Sequence, residues 1–187
     1  FRSHLKSGLS VIGNLDFIGK FSFKSQIHKC EQVDSFNGNI NDFQRKIEND
    51  SNFIIIKDID FLNWRYISRP DRKYEIYIHK KDNSITGWIV ISLFDDSNYL
   101  KTHIIDIASS DFSSFAELIK CAESRSVSRH ELNCWQIVYS RYTDWFKKLG
   151  FCLTAEKNIL MNINLNKNKE VISPSNWWFS LGDNDVY

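Results

Sequence analysis

Two short runs carry the side chains best suited to recognition chemistry: Trp64-Arg65-Tyr66 and, far along the chain, Trp177-Trp178-Phe179. Aromatic faces stack on the apolar C–H faces of a sugar ring, and an arginine between two rings supplies directional donors. The same residues also read as core and rim packing, and both readings stay open. Asp183 and Asp185 beside the second run either hold an acceptor or cap and solvate the tail. Other chemistries are excluded by pattern. No G-x-S-x-G turn presents a nucleophilic serine, and no G-x-x-x-x-G-K-[ST] loop cradles a nucleotide phosphate. Cys30, Cys121, Cys134 and Cys152 lack a C-x-x-C pair or zinc-type spacing, so they read as reduced, mostly buried thiols and imply no metal.

Charge narrows the partners further. With 24 basic and 23 acidic side chains the net charge is +1, which exerts no general pull on nucleic acid or anionic membrane. Arg125, Arg129, Arg141, Lys147 and Lys148 are scattered over separate elements rather than gathered on one face. The longest apolar run, Gly87 to Phe94, is far short of the roughly 20 residues that span a bilayer. With no leader segment, the expectation is a cytoplasmic protein. A chain that begins at Phe1 rather than Met reads as a fragment, with an upstream domain or a homodimer as expected partner.

Those side chains need a scaffold, and 187 residues suffice for one well-buried core. Residues 1–25 carry Gly8, Gly13 and Gly19 with no sustained hydrophobic period and read as a linker or the edge of an upstream segment, leaving 26–187 as the domain. Gln26 to Asp34 predicts a strand. Ile40, Phe43 and Ile47 are spaced for a helix over 39–49, and Phe53 to Tyr66 predicts a second helical or irregular segment. Tyr74, Ile76 and Ile78 alternate toward the turn Asp82-Asn83, and Ile85 to Phe94 returns, giving a hairpin with His79 on its solvent side. Leu100 to Ala108 is a further strand. Ser114-Phe115-Ala116-Glu117 has the form of a capping box before the stripe Phe115, Leu118, Ile119, Ala122. Leu132 to Tyr139 predicts a strand, and Tyr142, Trp145, Phe146 and Leu149 a short helix that Gly150 ends, with Phe151 folding back. Ile159 to Leu165 closes the chain as a strand. The order is β-α-α-β-β-β-α-β-α-β-β, an α/β chain with a central mixed sheet flanked by helices.

This order, with Thr86-Gly87-Trp88 after the hairpin turn and the helix closure Lys147-Lys148-Leu149-Gly150-Phe151, resembles the N-acetyltransferase (GNAT) superfamily. Phe61-Leu62-Asn63-Trp64-Arg65-Tyr66 and the tail from Trp177 to Val186 resemble a bacterial subgroup associated with surface-polysaccharide gene clusters. The resemblance covers residues 26–187. It implies transfer of an acyl group from acetyl-CoA or another acyl-CoA to an amino sugar or related small amine. The coenzyme would lie in a wedge where the strand Leu100 to Ala108 parts from Leu132 to Tyr139, reaching Ile107 and Ala108.

Two departures from the family pattern stand out. The glycine loop that normally cradles the pyrophosphate is replaced by Ser109-Ser110-Asp111-Phe112-Ser113-Ser114, so Ser109, Ser110, Ser113 and Ser114 are the candidate phosphate ligands and Asp111 a like charge against them. The family's acid tyrosine is Phe146 here, which leaves the role vacant or moves it to Tyr142 or Tyr139. Asp106 is the candidate base, and its separation of three from His103 predicts that the two sit on opposite faces of the strand. The alternative is a catalytically silent GNAT-like binding or scaffold domain, one of a tandem pair.

Overall fold

The hairpin turn forms as its residue types require. Asp82 and Asn83 both take positive φ, 48° and 61°, which Asp and Asn tolerate better than other side chains, and so join β4 (Glu75–Lys81) to β5 (Ser84–Asp95). The computed structural model describes residues 9–22, 27–48, 53–95, 100–125, 130–137, 142–163 and 177–183. Around the hairpin the remaining strands are β1 (Leu9–Ser22), β2 (Cys30–Val33), β6 (Leu100–Ser109), β7 (His130–Ile137) and β8 (Cys152–Ile163). They form a seven-stranded sheet in the order β2-β4-β5-β6-β7-β1-β8, antiparallel except for β6 and β7. A separate parallel pair joins β3 (Phe53–Ile54) to β9 (Trp177–Trp178).

Position in this sheet explains the apolar patterns. Trp88, Ile89, Val90 and Ile91 are all fully buried because β5 is central and covered on both faces, which is why its run does not alternate. Helix α1 (Ile40–Glu48) lies on one face, where Gln44 Oε1 accepts from Trp88 Nε1 at 3.1 Å. Helix α3 (Phe112–Ser124) covers the other with Phe115, Leu118, Ile119 and Ala122. There a Cβ on Gly87 would stand 2.8 Å from both the Ala108 carbonyl oxygen and Leu118 Cδ1. Gly87→Val should therefore destabilise the fold by about 1–3 kcal/mol in urea unfolding, the cost of overpacking against backbone. His79, read from the sequence as solvent-facing, is instead buried beneath α3 with Nδ1 2.8 Å from Thr86 Oγ1. Burial, its largest influence, holds the imidazole below its usual pKa, so it is neutral at pH 7.

Three further expectations are corrected. Residues 1–25 read as a linker or the edge of an upstream segment, yet Leu9–Ser22 is β1, hydrogen-bonded between β7 and β8 in the same sheet. Register shifts at Val11/Gly13 and Asp16/Ile18 break its period of two, which is why no alternation is visible in the sequence. The capping box at Ser114 and Glu117 does not form. Helix α3 begins at Phe112, its cap is Asp111, and Glu117 accepts instead from the Lys29 N–H and Lys120 Nζ. The third correction concerns the faces of β6. Val90 pairs with Asp106 and Ile91 with Ile104, leaving Ile105 as a bulge, so Asp106 and His103 oppose Val90 and Ser92 and share one face.

The short helix α4 (Thr143–Lys148) ends as expected. Gly150 has φ 84°, its N–H reaches the Lys147 carbonyl at 3.0 Å, and the Phe151 N–H reaches the Phe146 carbonyl at 3.1 Å. The Phe146 and Phe151 rings meet at 4.9 Å, the apolar contact that accompanies this closure.

Candidate functional site

Strands β6 and β7 pair only from Lys101/Glu131 to Ile104/Cys134, and β6 then runs on to Ser109. The bulge at Ile105 sits where the pairing stops, so the two strands part beyond it. On the freed edge of β6 the alternate residues Ile107 and Ser109 direct their N–H groups away from β5. The Ile107 N–H donates to Asp106 Oδ1 at 3.0 Å, and the Ser109 N–H donates to Tyr142 Oη at 2.9 Å. Tyr142 Oη also donates to the Ser109 carbonyl at 3.1 Å, and its ring stacks on Phe115 at 5.1 Å. Two of the candidate catalytic residues are thus brought to the strand edge where an extended ligand would bond.

The loop after β6 is closed on itself. The Ser110 N–H donates to the Thr86 carbonyl at 3.0 Å, Ser109 Oγ to the Asp111 carbonyl at 2.9 Å, and Ser114 Oγ to Asp111 Oδ2 at 2.9 Å. Asp111 caps α3 by accepting the Ser114 N–H at 2.9 Å, and Lys81 Nζ lies 3.1 Å from the same carboxylate. Partial burial alone would raise the Asp111 pKa. The Ser114 and Lys81 hydrogen bonds outweigh it and hold the carboxyl at about 2. An anionic side chain therefore occupies the helix N-terminus that an anionic ligand would use. Ser110 and Ser113 are exposed, while Ser109 and Ser114 are buried.

On the other face Asp106 enters a buried ionic cluster. Lys57 Nζ, wholly excluded from solvent, lies 2.6 Å from Asp106 Oδ2 and 3.1 Å from the Asp183 carboxylate. Tyr66 Oη donates to Asp106 Oδ2 at 2.8 Å, and Lys57 Nζ also donates to Ser180 Oγ at 3.1 Å. Tyr66 ends helix α2 (Ile59–Tyr66), while Ser180 and Asp183 belong to the tail turn around the 3-10 segment Leu181–Asp183. Asp183 Oδ2 accepts the Ser180 N–H at 2.8 Å, and Arg65 Nε donates to the Gly182 carbonyl at 2.8 Å. Burial pulls the Lys57 pKa down, but Asp106 and Asp183 together hold it above the ordinary lysine value, so it stays charged. Burial, the largest influence, raises the Asp106 carboxyl, with Lys57 opposing and Asp183 adding to the rise.

No protein-family model and no curated protein matches the chain. Solved structures do. A GCN5-related N-acetyltransferase from Anabaena variabilis superposes with a TM-score of 0.63 at 12% identity, over 86% of this chain and 42% of that one. A conserved protein of unknown function from Enterococcus faecalis V583, described as a probable N-acyltransferase, gives 0.58 at 11% identity over 86% and 42%. A functionally unknown conserved protein from Staphylococcus epidermidis gives 0.53 at 9% identity over 88% and 66%. The chain spans less than half the length of the first two. It has the GCN5-related N-acetyltransferase fold.

Within that fold the remaining candidates separate. Trp64 is 62% exposed, with its ring 5.8 Å from Phe61, whereas Arg65 and Tyr66 turn inward and are spent on the cluster. Successive helical residues point about 100° apart, so these three do not share a sugar-stacking face. Phe146 packs edge-on against Phe115 at 4.9 Å. The backbone of Trp178 pairs with Ile54 in the small parallel sheet, while its side chain and all of Tyr139 and Asp185 lie outside the described residues. Lys57 and Ser180 are the cluster members that sequence reading missed. The signal for Lys57 was a lysine directly after the apolar run Ile54-Ile55-Ile56, and it is Lys57 rather than Ile55 or Ile56 that turns into the core, where its charge demands a partner. No helix among the described residues is long and apolar enough to cross a membrane.

Proposed function

We propose that the domain is an acyl-CoA-dependent N-acyltransferase, moving an acetyl or similar acyl group to a small amine by direct attack of the neutral amine on the thioester. The observation that carries this reading is the parting of β6 from β7 beyond Ile104/Cys134, which leaves a strand edge for the coenzyme's extended arm. The arm would take over the Ile107 and Ser109 N–H groups and so release Asp106 Oδ1 and Tyr142 Oη from them. Tyr142 is assigned the proton donor to the departing thiolate. Asp106, with Lys57 and Tyr66 on its other oxygen, is assigned the orientation of the acceptor rather than a free base. The exposed Trp64 ring and the resemblance of the tail support an amino-sugar acceptor of the kind found in surface polysaccharides.

A second reading rests on Asp111. Its carboxylate fills the helix N-terminus that would hold the pyrophosphate, which favours a silent acyltransferase-like domain, one half of a tandem pair. Thermal melting with acetyl-CoA and with desulfo-CoA separates the two. A rise in Tm that grows with ligand concentration supports the enzyme, and none at millimolar ligand sinks it. Given binding, Tyr142→Phe should lower kcat by about 100-fold or more. Coenzyme affinity should not weaken, because the hydroxyl that competes for the Ser109 N–H is gone. Weaker binding with unchanged kcat would assign Tyr142 to packing.

A further inference from the structure

Outside the splayed edge, one cluster of ligating side chains is used by nothing described above. Cys30 opens edge strand β2, His28 lies just before it, and Cys121 lies in the third turn of α3. One ligand atom from each comes within 4.8 Å of the other two. Cys121 lies 91 residues beyond Cys30 (121 − 30), so no sequence spacing announces the group. Cys121 is buried, whereas His28 and Cys30 are half-buried, so the cluster is closed toward the core and open on one side.

We propose that His28, Cys30 and Cys121 bind a zinc ion, with water in the fourth position. Two thiolates and an imidazole are a donor set that zinc favours, and tetrahedral zinc holds such atoms about 3.5–3.8 Å apart. The observed separations need to close by only about 1 Å, within the reach of side-chain rotation. Zinc coordinates cysteine as thiolate, so binding is an exchange: one Zn²⁺ enters, two S–H protons leave to solvent, and the zinc-dithiolate unit is electrically neutral, as its partial burial requires. The ring edge of Tyr77 stands against His28 at 6.1 Å, and Glu117 accepts the Lys29 N–H at 3.1 Å, fixing the segment that carries two of the ligands. His28 Nδ1 now accepts the Cys30 N–H at 3.3 Å, and coordination at either ring nitrogen gives up only this long contact. Bound metal would fasten the edge strand to α3, the helix that opens at the Ser109–Ser114 loop.

The test uses the whole chain, reduced and stripped of metal. Titrated with Co²⁺, it should take up one equivalent with a near-ultraviolet thiolate-to-cobalt band that Zn²⁺ abolishes. Zn²⁺ should release about two protons per ion to an indicator dye and protect two thiols from alkylation. Cys30→Ser and His28→Ala should each weaken Zn²⁺ by at least about 100-fold, beyond the range of outer-shell losses. Cys152→Ser, far from the cluster, should leave the stoichiometry intact. Because Cys121→Ser alters a core residue, thiol protection in the parent protein carries the case for Cys121. Absence of the band and of protection at stoichiometric metal would overturn the site. So would uptake unaffected by both Cys30→Ser and His28→Ala, and so would a Cys30–Cys121 disulfide that forms in air while reduced protein ignores zinc.

Discussion

Lys57→Met should unfold in urea with about 3–5 kcal/mol less stability than the parent protein at pH 7.5, among the largest losses of any single substitution in this chain. The ammonium lies between Asp106 and Asp183 with no solvent exposure on any of the three side chains. Removing it leaves two carboxylates facing each other in a medium that cannot solvate them. Methionine keeps the length and the packing, so the loss reports charge rather than a cavity. The pH dependence fixes the cause. The Asp106 pKa is raised in the folded state, chiefly by burial, and losing Lys57 raises it further. A folded carboxyl that binds a proton the unfolded chain has released gains stability as pH falls. The deficit of Lys57→Met should therefore shrink between pH 7.5 and pH 5, and Lys57→Met with Asp106→Leu should recover much of it at pH 7.5. A small, pH-independent loss would mean that the cluster is solvated.

What could be read from the sequence was local. The Asp82-Asn83 turn, the α4 closure at Gly150-Phe151 and the apolar stripes of α1 and α3 each follow from residues within a few positions of one another. What could not be read joins distant segments. The insertion of β1 between β7 and β8 depends on pairing across more than a hundred residues, and its two bulges conceal the period that would have marked it as a strand. A single extra residue, Ile105, likewise moved His103 and Asp106 onto one face, because face assignment by counting assumes an unbroken pleat. At the candidate site, Asp106 and Tyr142 were found by resemblance. Their partners Lys57, Ser180 and the Ser109 peptide were not, since each is supplied by a different element.

Gly182→Ala tests whether the tail turn is locked into that cluster. A Cβ there would stand 2.0 Å from Tyr66 Oη and 3.1 Å from Cζ. The ring has little room to retreat, because Oη is held by Asp106 at 2.8 Å and Tyr74 packs edge-on at 5.4 Å. Either Tyr66 leaves Asp106 or the turn carrying Ser180 and Asp183 lifts away from Lys57. The first breaks a charge-assisted hydrogen bond and the second an ion pair, so the expected loss is about 3 kcal/mol, the upper end of overpacking costs. Tyr66→Phe removes the hydroxyl and leaves only the 3.1 Å approach, which a shift of a few tenths of an ångström relieves. In the double variant the two losses should not add: Gly182→Ala should cost about 1–2 kcal/mol less on the Tyr66→Phe background than alone. Strict additivity would mean that the turn does not rest on Tyr66. Coupling, by contrast, would establish that the tail turn rests on Tyr66 and so helps hold Asp106 within its buried cluster.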